Sequence, residues 1–191
     1  MKYILGIDTS TDQTSVAIAQ VEIPGYAPGS AVEVYHETHL DPLAHGEVLP
    51  KLVARGLETL GENKIDQVVI GMGPGPFTGL RTGIAFGQSF AYARGIDWIG
   101  VCSLDAIAGR TSSPDFIVAT DARRKEVFYA RYIEGMRQGE PSIANPIQLK
   151  TLPVDFIGEG AVKYGLTTRK DYLYPNATTL IELAYSGATV D

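Results

Sequence analysis

The chain is poor in cysteine, tryptophan, histidine and positive charge, and it has no long apolar run. Of its 191 residues, one is cysteine, one is tryptophan and three are histidine. The single thiol, Cys102, cannot close an internal disulfide, and such scarcity fits a chain built for the reducing cytoplasm. No stretch approaches the ~20 apolar residues needed to cross a bilayer. The apolar opening from Tyr3 to Ile7 meets Asp8 too early to form the hydrophobic region of a secretory signal, so no membrane is expected among its partners. Lys and Arg number 16 against 22 Asp and Glu, a net charge of −6. A stand-alone nucleic-acid binder neutralises phosphates with clustered cations, and this chain lacks the surplus. Any RNA it serves would be held largely by another protein. What is present is ordinary globular material, 45% hydrophobic and 20% charged, with enough chain for a sizeable core.

Apolar periodicity divides the chain into two units. Residues 3–8, 15–21 and 32–39 read as strands of an antiparallel meander, with turns at Pro24-Gly25 and Pro28-Gly29. The period then changes. Val48, Leu49, Leu52, Val53, Leu57 and Leu60 recur at three- and four-residue steps, so 45–60 is an amphipathic helix stopped by Gly61. A strand at 67–71, a helix at 78–94, a strand at 97–101 and a short helix capped by Ser103 follow. The order βββαβα thus fills a first domain, residues 1–108. The second domain, 109–191, begins with a hairpin (116–121 and 126–133), continues through an irregular or weakly β stretch (141–153), and adds a strand at 154–157. A closing helix at 179–185 is placed to pack back on the first domain. The second half reads as a trimmed copy of the first.

Two segments invite a chemical reading. Asp8, Thr9, Ser10 and Thr11 form a hydroxyl-rich turn at a strand end. Such a turn can offer N–H and O–H groups to a nucleotide phosphate and a carboxylate to Mg²⁺. The same residues can equally bond their own backbone. The second segment is Gly73-Pro-Gly-Pro-Phe-Thr-Gly-Leu-Arg81. It fits neither dinucleotide nor P-loop spacing, and Thr78 reads as an N-cap. Beyond it, Gly79, Gly83, Gly87 and Ala91 fall four apart on one helical face. Each helical Gly costs ~0.5–1 kcal/mol relative to Ala, so the stripe implies close approach of something. Packing on this chain's own helix and a flat surface for a second chain both satisfy that requirement.

The Gly/Pro run, the opening Ile7-Asp-Thr-Ser-Thr11, His45 with Leu49-Pro50, Gly100-Val-x-Ser-Leu104 and Asp121-Ala-Arg-Arg124 together resemble the TsaB (YeaZ-like) family. The likeness covers most of residues 1–133, and Pro76 stands where the family usually has Ser. The resemblance implies an α/β, actin-like (ribonuclease H-like) fold. It also implies a cytoplasmic accessory subunit in the making of threonylcarbamoyladenosine in tRNA, without catalytic residues or intrinsic cofactor of its own. A TsaD-like transferase and a TsaE-like ATPase would be its partners, with tRNA met through the complex. ATP or ADP and Mg²⁺ would act at that level. Val48, Leu52, Gly79, Gly83, Gly87 and Ala91 are the expected partner interface, which would self-pair as a homodimer when the chain is alone.

Rival readings remain. Asp8 in a small-molecule kinase or ATPase of the same superfamily is one. A peptidase is another, though no nucleophile motif supports it. Arg123 and Arg124 are candidates for an anion or tRNA-phosphate contact, or a solvated turn. His36 and His39 are spaced for opposite faces of a strand, so no metal site is expected from them.

Overall fold

The computed structural model describes residues 1–22 and 31–186; the turns expected at Pro24-Gly25 and Pro28-Gly29 lie outside them. β1 (Lys2–Asp8) and β2 (Gln13–Val21) have apolar interiors and are buried on both faces. They pair antiparallel from Lys2 opposite Val21 to Asp8 opposite Ser15. β3 (Val32–Leu40) extends the meander as its outer strand, and its Glu33, Glu37 and His39 suit an edge exposed to water. β4 (Gln67–Gly71) joins the other side of β1 in parallel, and β5 (Asp97–Val101) joins β4, giving the order β3-β2-β1-β4-β5.

Parallel neighbours need crossovers, which α1 (His45–Thr59) and α2 (Phe77–Arg94) provide. Leu49, Leu52 and Val53 of α1 pack with Leu5, Ile7 and Ile18 of the sheet, and each such burial contributes ~1.5–3 kcal/mol. Two expected caps differ. Thr78 lies within the first turn of α2, where its carbonyl accepts from the Thr82 hydroxyl. Pro76 holds the N-cap position instead, and its carbonyl accepts the Leu80 N–H at 3.0 Å. Ser103 is the first residue of α3 (Ser103–Ala108) and not its cap, because its hydroxyl is engaged with Asp8.

The second sheet starts with the antiparallel hairpin of β6 (Asp115–Asp121) and β7 (Val127–Ile133). β8 (Met136–Arg137) and β9 (Ser142–Ala144) pair with β7, and β10 (Asp155–Ile157) runs parallel to β6. The stretch expected to be irregular also contains α4 (Pro146–Leu149), capped by the Asn145 carboxamide, which accepts the Ile147 N–H at 3.0 Å. α5 (Glu159–Lys163) follows β10. The set β10-β6-β7 repeats β4-β1-β2 in order and direction, so the chain is an α/β protein whose second sheet is a reduced copy of the first.

α6 (Ala177–Tyr185) begins at its cap Asn176 and covers the face of the first sheet opposite α1 and α2. Its Ala177, Leu180 and Ile181 pack on Ile4, Ala17 and Val69. α3 lies beside α6, and its Leu104 and Ile107 meet Phe116, Val118 and Tyr132 of the second sheet. A second joint is polar: Asp105 of α3 accepts from the Tyr132 hydroxyl at 2.6 Å and pairs with Arg137 at 3.2 Å.

Candidate functional site

β1 and β6 each end in an aspartate, Asp8 and Asp121. Asp8 is 1% exposed. Its Oδ1 accepts from both the N–H and the hydroxyl of Ser10 at 2.8 Å, and its Oδ2 accepts from the Ser103 hydroxyl at 2.6 Å. Ser103 Oγ in turn accepts the Gly73 N–H at 3.0 Å. Burial raises the Asp8 pKa, while the hydrogen bonds from Ser103 and Ser10 pull it down. Both carboxylate oxygens are therefore occupied within the chain. Neither oxygen is left free for the Mg²⁺-associated role that a nucleotide at this turn would need.

Thr9 joins the two segments singled out in the sequence. Its hydroxyl donates to the Gly79 carbonyl at 2.7 Å and accepts the Gly83 N–H at 2.9 Å. Those are the two groups that regular α-helical bonding would join to each other. The first loop is thus spliced into the ladder of α2, a recognised way to distort a helix. The glycines make room for it. A Cβ at Gly75 would stand 2.1 Å from the Ser10 carbonyl oxygen, and one at Gly83 would stand 2.4 Å from Thr9 Oγ1. One at Gly87 would stand 2.7 Å from the Ile70 side chain.

This corrects the expected partner surface. Gly79, Gly83, Gly87 and Ala91 face this chain's own loop and sheet. Leu52 is core, and Val48 is half-buried against the same cluster. The outward face of α2 carries Phe77, Arg81, Ala85, Ser89 and Tyr92.

The second lobe builds its strand end differently. Asp121 is 4% exposed, yet its carboxylate accepts from Lys163 Nζ and from the Tyr164 hydroxyl at 2.7 Å each. Arg123 lies 3.4 Å from it and also pairs at 2.6 Å with Asp12, in the loop after β1. Burial works against ionisation of Asp121, but the Lys163 and Tyr164 bonds outweigh it and hold its pKa below the ordinary value. Glu159 accepts the Asp121 N–H at 2.7 Å, and burial, aided by Asp121 and Asp12, pushes its carboxyl up to about 7.

Arg123, Arg124 and Lys125 all have left-handed backbone, with φ of 65°, 50° and 65°. Each such residue costs roughly 1–2 kcal/mol without a side chain that favours it. Arg123 is engaged with the two aspartates, while Arg124 is exposed. Between the lobes lies a cleft of about 770 Å³ lined by Thr9, Thr11, His45, Thr78, Thr82 and Arg123.

Sequence reasoning missed Asp12, Glu159, Lys163 and Tyr164. A signal existed for the turn that carries Glu159: Gly158-Glu159-Gly160 lies at the end of β10 much as Gly71-Met72-Gly73 lies at the end of β4. His45 is a buried positioning residue, its Nδ1 2.8 Å from the Thr14 hydroxyl, and burial lowers its pKa. His36 turns toward Ser15 while His39 is exposed, so they do not meet. Among the described residues no group of three or more His, Cys, Asp or Glu could hold a metal. Burial, with Asp105 nearby, pushes the Cys102 thiol up to about 11, which suppresses the thiolate a nucleophile needs.

With this geometry, comparison with known proteins is specific. The family model described as TsaD, tRNA N6-adenosine threonylcarbamoyltransferase, matches residues 42–155. An uncharacterized protein of Mycobacterium leprae is 39% identical over 186 residues, 95% of this chain and 50% of that protein. The chain thus spans half the length of that relative, and 64% of a Mycobacterium bovis relative that is 41% identical over 142 residues, 73% of this chain. The tRNA threonylcarbamoyladenosine biosynthesis protein TsaB of Haemophilus influenzae is 28% identical, over 95% of this chain and 84% of its own length. YeaZ from Pseudomonas aeruginosa superposes with a TM-score of 0.74 at 27% identity, covering 96% of this chain and 91% of the other. Sequence, family model and fold agree: the chain belongs to the TsaB (YeaZ-like) family, whose model of match is that of the related TsaD transferases.

Proposed function

We propose that this chain takes part in forming threonylcarbamoyladenosine in tRNA, as a non-catalytic subunit that docks a TsaD-like transferase through the outer faces of α1 and α2. The observation that carries the reading is the division of α2 into two faces. Its glycine face is consumed by the chain's own loop and sheet. Its outer face leaves Phe77 72% and Tyr92 90% exposed, with Leu43 93% exposed just before α1. Apolar residues grouped on one exposed face are the usual mark of an interaction surface.

In this reading the complex works in the cytoplasm. A TsaE-like ATPase joins it, nucleotide and Mg²⁺ act at the level of the assembly, and tRNA is met through the partner. Without the partner, the same face pairs two copies of the chain in an isologous dimer. The names of the relatives support the pathway, and the occupied Asp8 carboxylate favours an accessory role over a kinase or ATPase that would use it.

The test is co-purification with a TsaD-like chain, followed by a threonylcarbamoylation assay with each subunit omitted. Modification should require both chains, and Phe77→Glu or Ala85→Glu should abolish co-purification while the isolated chain stays folded. Full activity of the transferase alone, or docking that survives both substitutions, would overturn the proposal.

A further inference from the structure

The left-handed turn sends its first and last cations to two different hollows. Arg123 lines the cleft between the lobes, whereas Lys125 lines a separate pocket of about 390 Å³ in the second lobe. The floor of that pocket is apolar: Pro146 is buried, Leu166 and the Tyr164 ring are half-buried, and Ile147 is 76% exposed at its edge. Lys150 stands with Lys125 among the residues that line it. Neither ammonium has an acidic partner among the described residues, in a chain whose net charge is −6.

Strained backbone persists where the surroundings hold it, and it clusters at ligand sites. A volume within the ~300–1,000 Å³ of small-molecule pockets, an apolar lining and a few polar groups are the usual ingredients of such a site. We infer that the hollow between Lys125, Lys150, Ile147 and Leu166 binds a small organic anion, an aromatic or short aliphatic body bearing a carboxylate, sulfonate or phosphate. The apolar body would cover Ile147, Leu166 and the Tyr164 ring, and the two ammonium groups would meet the charge. The Tyr164 hydroxyl donates to Asp121, so the pocket shares one side chain with the strand-end site of the second lobe. The inference is independent of the docking role, because this pocket shares no residue with the exposed faces of α1 and α2.

The probe is anilinonaphthalene sulfonate, titrated into the full chain and followed by fluorescence and by amide shifts in two-dimensional NMR. Saturable binding is expected, with shifts centred on Ile147, Leu166 and Lys125. The uncharged parent N-phenylnaphthylamine should bind about tenfold more weakly. Lys125→Asn removes the charge with a residue that tolerates left-handed backbone. Combined with Lys150→Met it should weaken the sulfonate about tenfold, the scale of two partly exposed charge contacts. If the double variant loses stability, Lys150→Met alone should give roughly threefold weakening. Shifts centred on another part of the chain, or affinity equal in the variants and for the uncharged probe, would overturn the inference.

Discussion

Asp8 and Asp121 occupy the same place in two copies of one topology, at the end of the strand flanked by an antiparallel and a parallel neighbour. Both are almost fully buried. Their surroundings separate them. Asp8 receives only uncharged donors, two hydroxyls and a backbone N–H, and its pKa rises. Asp121 receives an ammonium and a phenol with a guanidinium nearby, and its pKa falls. Burial alone does not decide what a strand-end carboxylate is for. The first lobe turns its aspartate into a knot that ties the loop, α3 and the Gly/Pro run together. The second keeps its aspartate ionised between Lys163 and Arg123, with Arg123 reaching across to Asp12.

The largest expected effect comes from breaking the first-lobe knot at its tightest point. Gly83→Leu places atoms where Thr9 Oγ1 already lies, 2.4 Å from the new Cβ. Overpacking of this kind costs about 3 kcal/mol, and displacing Thr9 also strands a helical N–H. A urea midpoint within experimental error of the parent would mean that α2 is not spliced to the loop. The second effect belongs to the second lobe. Glu159 has a folded pKa of about 7 against 4.5 unfolded, so the folded state holds its proton more tightly. Its contribution to stability is full below about pH 4.5 and is lost as pH rises through about 7. Glu159→Gln cannot ionise and should therefore gain up to about 3 kcal/mol over the parent at pH 8, with little difference near pH 4.5. Parallel stability curves for the two proteins across that range would contradict the buried, charge-crowded placement of Glu159.

Much of this architecture was legible in the sequence, because period-two and three-to-four-residue apolar spacing reports directly on strands and on α1. The TsaB resemblance was legible through its Gly/Pro run. The direction of the glycine stripe was not. Four-residue spacing places Gly79, Gly83, Gly87 and Ala91 on one face but says nothing of what lies opposite. The answer is a threonine 74 residues away in sequence from Gly83. Thr78 and Ser103 misled for a related reason. Each is a good capping residue by type, but Pro76 has the backbone angles of the cap, and Asp8 takes the Ser103 hydroxyl. The Gly158-Glu159-Gly160 run marks the turn after β10 but not its target, since only the parallel pairing of β10 with β6 brings Lys163, and Tyr164 just after it, to Asp121.

The smallest effect is the sharpest test of the comparison, because it asks whether the two aspartates differ in kind. Asparagine keeps the shape of both side chains and removes the charge. Asp8→Asn keeps one acceptor oxygen and turns an NH₂ toward donors, so about 1 kcal/mol should be lost. Asp8 lies deep in the fold with uncharged donors and no cation beside it, so that loss should be the same at low salt and at about 1 M NaCl. Asp121→Asn releases Lys163 and Arg123, whose side chains are 48% and 45% exposed and can return to water. Its cost should be below about 1 kcal/mol at low salt. It should shrink toward zero at about 1 M, where the Debye length is only ~3 Å. Urea unfolding of both variants and the parent at the two salt concentrations gives the four differences needed. If the two losses respond alike to salt, the contrast between a carboxylate held by uncharged donors and one paired with cations is wrong, and the two lobes use their strand ends in the same way.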